Sequence, residues 1–170
     1  MQILKNIILI LILLICTYIG IDKSRTFKKR EIELKKIKNA LNIFKTKINY
    51  TYETIGEIFK EISNLEYKGE KNIFLDSITL LKNEESLTLA WEEAVNKCDN
   101  CINEEDKEIL KMLGKTLGKT DKDGQISEIE LVSNFLNKQI SIAEEVRLKN
   151  EKLYKTLGIT IGLTIVIILI

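Results

Sequence analysis

Two stretches without a charged residue limit what this chain can become. One runs from Ile7 to Ile21, the other from Leu157 to Ile170. A helix from Ile3 to Ile21, rising about 1.5 Å per residue, is about 28 Å long, close to a hydrocarbon core of roughly 30 Å. The second stretch is about 21 Å by the same measure. It lengthens if Leu153 and Tyr154 join it, with Lys155 reaching to the interface and Tyr154 among the headgroups. A cleaved signal peptide competes for the first stretch, but no A-x-A site follows it. A lipoprotein-type cut ahead of Cys16 wants a small residue where Ile15 stands. A buried core helix competes for the second, but Ile-Val-Ile-Ile-Leu-Ile has no polar face to turn outward. Residues 1–22 are therefore expected to form an N-terminal transmembrane anchor, and residues 153–170 a C-terminal hydrophobic membrane segment.

The charges beside these stretches suggest an orientation. Lys23, Arg25, Lys28, Lys29 and Arg30 follow the first, and only Lys5 precedes it. Arg147, Lys149, Lys152 and Lys155 precede the second. Cations concentrate on the cytoplasmic side of membrane segments, and both biases put residues 23–152 there.

Those middle residues have helical periodicity. Leu34, Ile37, Leu41, Phe44 and Ile48 fall on one stripe of a helix. Ile55, Ile58, Phe59 and Ile62 predict a second helix with a turn over 64–69, and Phe74, Ile78 and Leu81 a third. Ser86 is placed to cap a fourth carrying Leu87, Ala90, Trp91 and Ala94. Asn103, followed by acidic residues, caps a fifth with Ile109, Leu110, Leu113 and Leu117. From about Gln125 the positions Ile129, Val132, Leu136, Ile140, Ala143 and Val146 predict a long last helix that can continue into the apolar tail. The chain contains no proline to interrupt any of these. No segment alternates with period two between hairpin turns. The expected class is all-α, an antiparallel helical bundle flanked by N- and C-terminal hydrophobic membrane helices.

Composition narrows the function. A net charge of +1 gives no field for nucleic acid, and the absence of histidine removes the commonest general base and metal ligand. Three cysteines make a poor disulfide framework, and they read as reduced thiols in a cytosolic compartment. Cys98 and Cys101 are half of a zinc site at most, with no second pair to complete it. The doublets Glu92-Glu93, Glu104-Glu105 and Glu144-Glu145 read as charged helix faces rather than as acid–base pairs. No cofactor, metal, small-molecule substrate or catalytic residue is expected, and no nucleophile–base pair supports an enzyme.

Two motifs invite sharper readings. Gly114-Lys115-Thr116 and Gly118-Lys119-Thr120 resemble a phosphate-binding loop, but G-x-x-x-x-G-K-T needs a glycine where Leu113 stands. A helix C-terminus, with glycine allowing the turn, accounts for them better. Residues 119–130 match a calcium-binding loop at Asp121, Asp123, Gly124, Ile126 and Glu130, while Lys119 occupies the first ligand position. The competing reading is a polar turn in which Asp121 or Asp123 caps the last helix. The calcium reading makes the alternative function a membrane-tethered, calcium-responsive adaptor.

One ordered set of segments carries a family resemblance. It consists of the N-terminal anchor with its basic exit, Ala90-Trp91-Glu92-Glu93-Ala94, and Glu104-Glu105-Asp106 leading to Ile109-Leu110. Leu113-Gly114-Lys115-Thr116-Leu117-Gly118 comes next, with Asp121 and Gln125 after it, and then Lys152-Leu153-Tyr154-Lys155-Thr156-Leu157-Gly158. In this order and spacing the chain resembles the stage III sporulation protein AB family of endospore-forming bacteria, over nearly its whole length. It departs from the family at Gly124, where a charged residue is more usual. The resemblance implies a subunit of a secretion-like apparatus between mother cell and forespore. It further implies a cytoplasmic domain similar to that of the type II secretion inner-membrane platform protein, and a stage III sporulation protein AA-like ATPase as partner. A membrane scaffold of this kind leaves room for a homo-oligomer and would sit in the mother-cell membrane. The residues carrying the resemblance, Trp91, Glu92, Gly114, Gly118, Asp121 and Gln125, are the candidates for an interaction or structural motif.

Overall fold

A computed structural model of the chain describes residues 2–82, 86–98 and 102–169. Cys101, and with it the C-x-x-C pair, lies outside the described residues. Six α-helices follow in order: α1 Gln2–Tyr50, α2 Ile55–Tyr67, α3 Ile73–Leu80, α4 Leu87–Asn96, α5 Glu104–Thr116 and α6 Lys122–Leu169. The described residues contain no strand. The chain divides into two compact units. One joins Met1–Glu31 to Ser141–Ile170, and the other is Ile32–Ile140.

The second unit buries most of the predicted stripes, although Ile48, Ile55, Ile78 and Ile109 are half-buried and Leu81 is exposed. Leu34, Ile37, Leu41 and Phe44 of α1, Ile58, Phe59 and Ile62 of α2, and Leu110 and Leu113 of α5 are buried, as are Ile129, Val132 and Leu136 of α6. Aromatic rings fill the centre. Phe59 lies 5.0 Å from Phe44, 5.2 Å from Phe74 and 5.4 Å from Trp91, centroid to centroid. Tilted and edge-on contacts of this kind add to the burial of the rings themselves. Lys45 pairs with Glu130 at 2.6 Å, and Lys122 hydrogen-bonds the Asn49 carbonyl. Residue numbers that rise along α1 and fall along α6 make this stretch of the two helices antiparallel.

Local chemistry sets the helix starts. Thr54 and Glu57 form a reciprocal capping box at α2, and Asn103 and Asp106 form another at α5. The Asn72 side chain accepts from Phe74 N and Leu75 N and donates to Ser63 Oγ at 2.8 Å, fixing the turn from α2 into α3. Ser86 caps α4, as its position predicts. Four boundaries differ from the periodicity, and in two of them α3 and α5 stop one residue short of Leu81 and Leu117. Asn64 to Tyr67 remain helical, because the chain turns only where Lys68 and Gly69 take positive φ, 52° and 76°. The last helix begins at Lys122 rather than near Gln125, because Asp121 caps it.

The first unit is an antiparallel helix pair built around glycine. A Cβ on Gly20 would lie 2.6 Å from the Tyr154 carbonyl oxygen. One on Gly158 would lie 2.9 Å from the Cys16 carbonyl oxygen and 3.1 Å from Gly20 Cα. One turn further along α6, a Cβ on Gly162 would lie 2.9 Å from Leu13 Cδ1. The backbones touch because neither side carries a side chain there, which is the packing that glycines four apart permit in membranes. Phe27 stacks on Tyr154 at 5.6 Å, and Arg147 binds Glu31, which is buried. The other faces are apolar and open: Leu14 is 63% exposed and Ile168 76%. Both helices are long and apolar enough to cross a membrane.

Candidate functional site

The six motif residues fall within the second unit, and five of them make contacts inside the fold. Trp91 is fully buried, and its indole Nε1 donates to the Leu110 carbonyl oxygen at 2.7 Å. A buried indole N–H left unpaired would cost about 1–3 kcal/mol, so this bond ties α4 to α5 as well as orienting the ring. Gly114 lies inside α5 against that ring, where a Cβ would sit 2.6 Å from Trp91 Cδ1. Its part is therefore close approach, not the helix-ending turn that its Gly-Lys-Thr context suggests. The turn belongs to Gly118, with φ of +71° and Lys119 N donating to the Thr116 carbonyl at 3.0 Å.

Asp121 and Gln125 launch α6. Asp121 Oδ1 accepts from Gly124 N at 2.9 Å, and Gln125 Nε2 donates to the Thr120 carbonyl at 3.2 Å. This geometry corrects the calcium-loop reading of residues 119–130. Once Asp121 caps the helix, everything from Lys122 onward is helical and no twelve-residue loop remains to wrap an ion. Glu130, the loop's would-be bidentate ligand, is paired with Lys45 instead.

Of the six, Glu92 borders a groove. The groove, about 550 Å³, lies among α4, α5 and α6. Glu92 borders it from α4, Glu108, Met112 and Lys115 from α5, and Phe135 and Lys138 from α6. Phe135 is 40% exposed, a large ring on a wall that mixes charged residues with Ile109 and Met112. Glu108 and Lys111 pair at 2.7 Å. The bond from Lys111 holds the Glu108 carboxyl below its usual range, and the same bond raises the Lys111 ammonium, helped by the more distant Glu92 and Glu104. Both are fully charged at neutral pH. Thr88 also borders the groove, and its buried hydroxyl has no hydrogen-bond partner among the described residues. Charges of both signs and an exposed ring suit this surface to a protein segment rather than to a small substrate.

The other motif residues frame this groove. Trp91 and Gly114 set how closely α4 approaches α5, while Gly118, Asp121 and Gln125 set where α6 starts. Sequence reasoning picked out Glu92 but not Phe135, Met112 or Lys138, because periodicity does not reveal which of several exposed positions converge. It also missed the Gly20–Gly158–Gly162 contact, although Gly158 and Gly162, four apart in an apolar tail, are a legible signal. Cys98 is buried, 7% exposed, at the end of α4.

Comparisons with known proteins agree with this architecture. The family described as stage III sporulation protein AB matches residues 5–170. Stage III sporulation protein AB of Bacillus subtilis (strain 168) is 26% identical over 169 residues, 98% of this chain and 99% of that protein. A solved structure of a stage III sporulation protein AB superposes with a TM-score of 0.62 at 23% identity, covering 71% of this chain and 98% of the other. At that identity the structural likeness speaks for the fold.

Proposed function

Since the chain belongs to the stage III sporulation protein AB family, we propose that it is a non-enzymatic platform subunit of the sporulation apparatus, docking a cytoplasmic secretion-type ATPase at the mother-cell membrane. The helix pair holds the chain in the bilayer. The bundle faces the cytoplasm, receives the stage III sporulation protein AA-like ATPase in the α4–α5–α6 groove, and passes its conformational cycle to the other subunits. The observation that carries this reading is the groove itself, where Glu92 and its neighbours surround an exposed Phe135. Large aromatic side chains ringed by charges are the usual anchors of protein interfaces.

The test is binding of the ATPase to the full chain in detergent, by biolayer interferometry. Glu92→Lys combined with Phe135→Ala is expected to weaken binding by about tenfold or more. Glu144→Lys, an exposed charge reversal outside the groove, is expected to leave it unchanged. Equal binding by all variants would remove the groove from the reading. Orientation is tested separately. Cys98 is too buried to report it, so Tyr52→Cys, at a fully exposed position, is labelled with an impermeant thiol reagent. Labelling of intact protoplasts would put the bundle outside and end the ATPase reading.

A further inference from the structure

Where the apolar half of α1 gives way to its basic stretch, two cations are left without work inside the protein. Arg25 and Lys28 of α1, with Lys155 of α6, border a pocket of about 240 Å³ together with Ile21, Ser24 and Glu151. The pocket's one carboxylate is already engaged. Glu151 accepts from Arg147 at 3.2 Å and from Lys155 at 2.6 Å. Ser24 turns its hydroxyl to the Ile21 carbonyl at 2.8 Å. Arg25 and Lys28 have no carboxylate partner among the described residues. The pocket is therefore positive and unsatisfied, and it lies at the edge of an apolar surface. Counting back along α1, Ile21, Leu14 and Ile10 recur at seven- and four-residue intervals, so they share one face of the helix. Leu14 is 63% exposed and Ile10 60%.

A positive pocket beside an apolar strip matches a molecule with an anionic head and an apolar tail. We infer that this pocket binds an anionic glycerophospholipid, its phosphodiester held by Arg25 and Lys28 beside Lys155 and one acyl chain lying along Ile21, Leu14 and Ile10. Basic pockets between membrane helices at the interface hold such headgroups, whereas a zwitterionic lipid brings a cation that Arg25 and Lys28 repel. A protein helix in the same place would have to carry a carboxylate into the headgroup layer. The inference rests on the helix pair lying in a bilayer, which is checked apart from it by retention of the chain in membranes after an alkaline wash.

The experiment is native mass spectrometry of the full chain in mild detergent, with phosphatidylglycerol or phosphatidylcholine added at equal concentration. One phosphatidylglycerol is expected to be retained per chain in preference to phosphatidylcholine. Arg25→Gln with Lys28→Gln is expected to lower that retention by about 30-fold, the loss of two interfacial cations. Arg25→Lys with Lys28→Arg is expected to keep it. Lys23→Gln with Lys149→Gln, the same loss of charge outside the pocket, is also expected to keep it. Circular dichroism confirms that all three variants remain helical. Equal losses in the two glutamine variants would replace the site with a diffuse basic belt. Equal retention of the two lipids would reduce it to an apolar strip. Displacement by glycerophosphate as strong as by the lipid would make it a free-phosphate site, and a co-purifying protein held through Arg25 and Lys28 would make it a helix-docking face. Each of these outcomes overturns the inference.

Discussion

Helix α1 uses the same kind of side chain in opposite ways along its length. In the bundle, Leu34, Ile37, Leu41 and Phe44 have no exposed surface; in the terminal helix pair, Ile10 and Leu14 are 60% and 63% exposed. The bundle excludes water by pressing large apolar groups together, and its centre is aromatic. The helix pair places glycine at its contact and turns its large groups outward. Apolar burial drives the first arrangement. It cannot drive the second in lipid, where the surroundings are as apolar as leucine, and close backbone packing takes its place.

The strongest test of this contrast is Trp91→Ala. It removes the largest buried side chain and takes the indole donor away from the Leu110 carbonyl. The bundle is expected to lose about 3–5 kcal/mol, read from urea unfolding followed by circular dichroism. A loss below about 1 kcal/mol would mean that the aromatic centre is not what holds the bundle together.

A matched pair of glycine substitutions sharpens the contrast. Gly114→Ala drives a methyl group into Trp91 and is expected to cost the bundle about 1–3 kcal/mol, with a shift in the fluorescence of this single tryptophan. Gly158→Ala meets backbone on α1, and it is expected to reduce disulfide formation between Cys16 and a Gly162→Cys substitution. Its effect on bundle unfolding is expected to stay within about 0.5 kcal/mol. If it moves the Trp91 signal as Gly114→Ala does, the two regions are not separate in energy and the comparison fails.

The smallest effect concerns pH. Glu57 accepts from Thr54 N at 2.8 Å and from Thr54 Oγ1 at 2.8 Å, and the backbone bond above all holds its carboxyl below the usual range. A carboxyl whose folded-state pKa is depressed stabilises the protein above its unfolded value of about 4.3, and that contribution is lost as pH falls through the folded value. Glu57→Gln is therefore expected to leave a smaller drop in the urea midpoint between pH 7 and pH 3 than the parent chain shows. An identical drop in both would assign the acid sensitivity to other groups, such as Glu108.

Much of the fold is legible in the amino-acid sequence. Ser86 and Asn103 announce the starts of α4 and α5, and Leu34, Ile37, Leu41 and Phe44 name the buried face of α1, because capping and helical periodicity act over a few residues. Gly114 shows where this stops. Beside Lys115 and Thr116 it reads as a turn, yet it lies within α5 against Trp91, a residue far from it in sequence. Asp121 shows it again, since the same letters spell half a calcium loop or a helix cap, and its bond to Gly124 N decides.

The sequence by itself determined an all-helical chain with apolar ends, caps at named residues and membership of a sporulation family, all of which follow from short-range spacing or from an ordered set of motifs. Only the tertiary structure decided that Gly114 makes room for an indole, that Glu92 meets Phe135 and Lys138 around one groove, and that Gly20 and Gly158 let two backbones touch. These depend on which distant residues come to share a small volume, and that is settled by packing, where one Cβ too many forces neighbouring atoms to move.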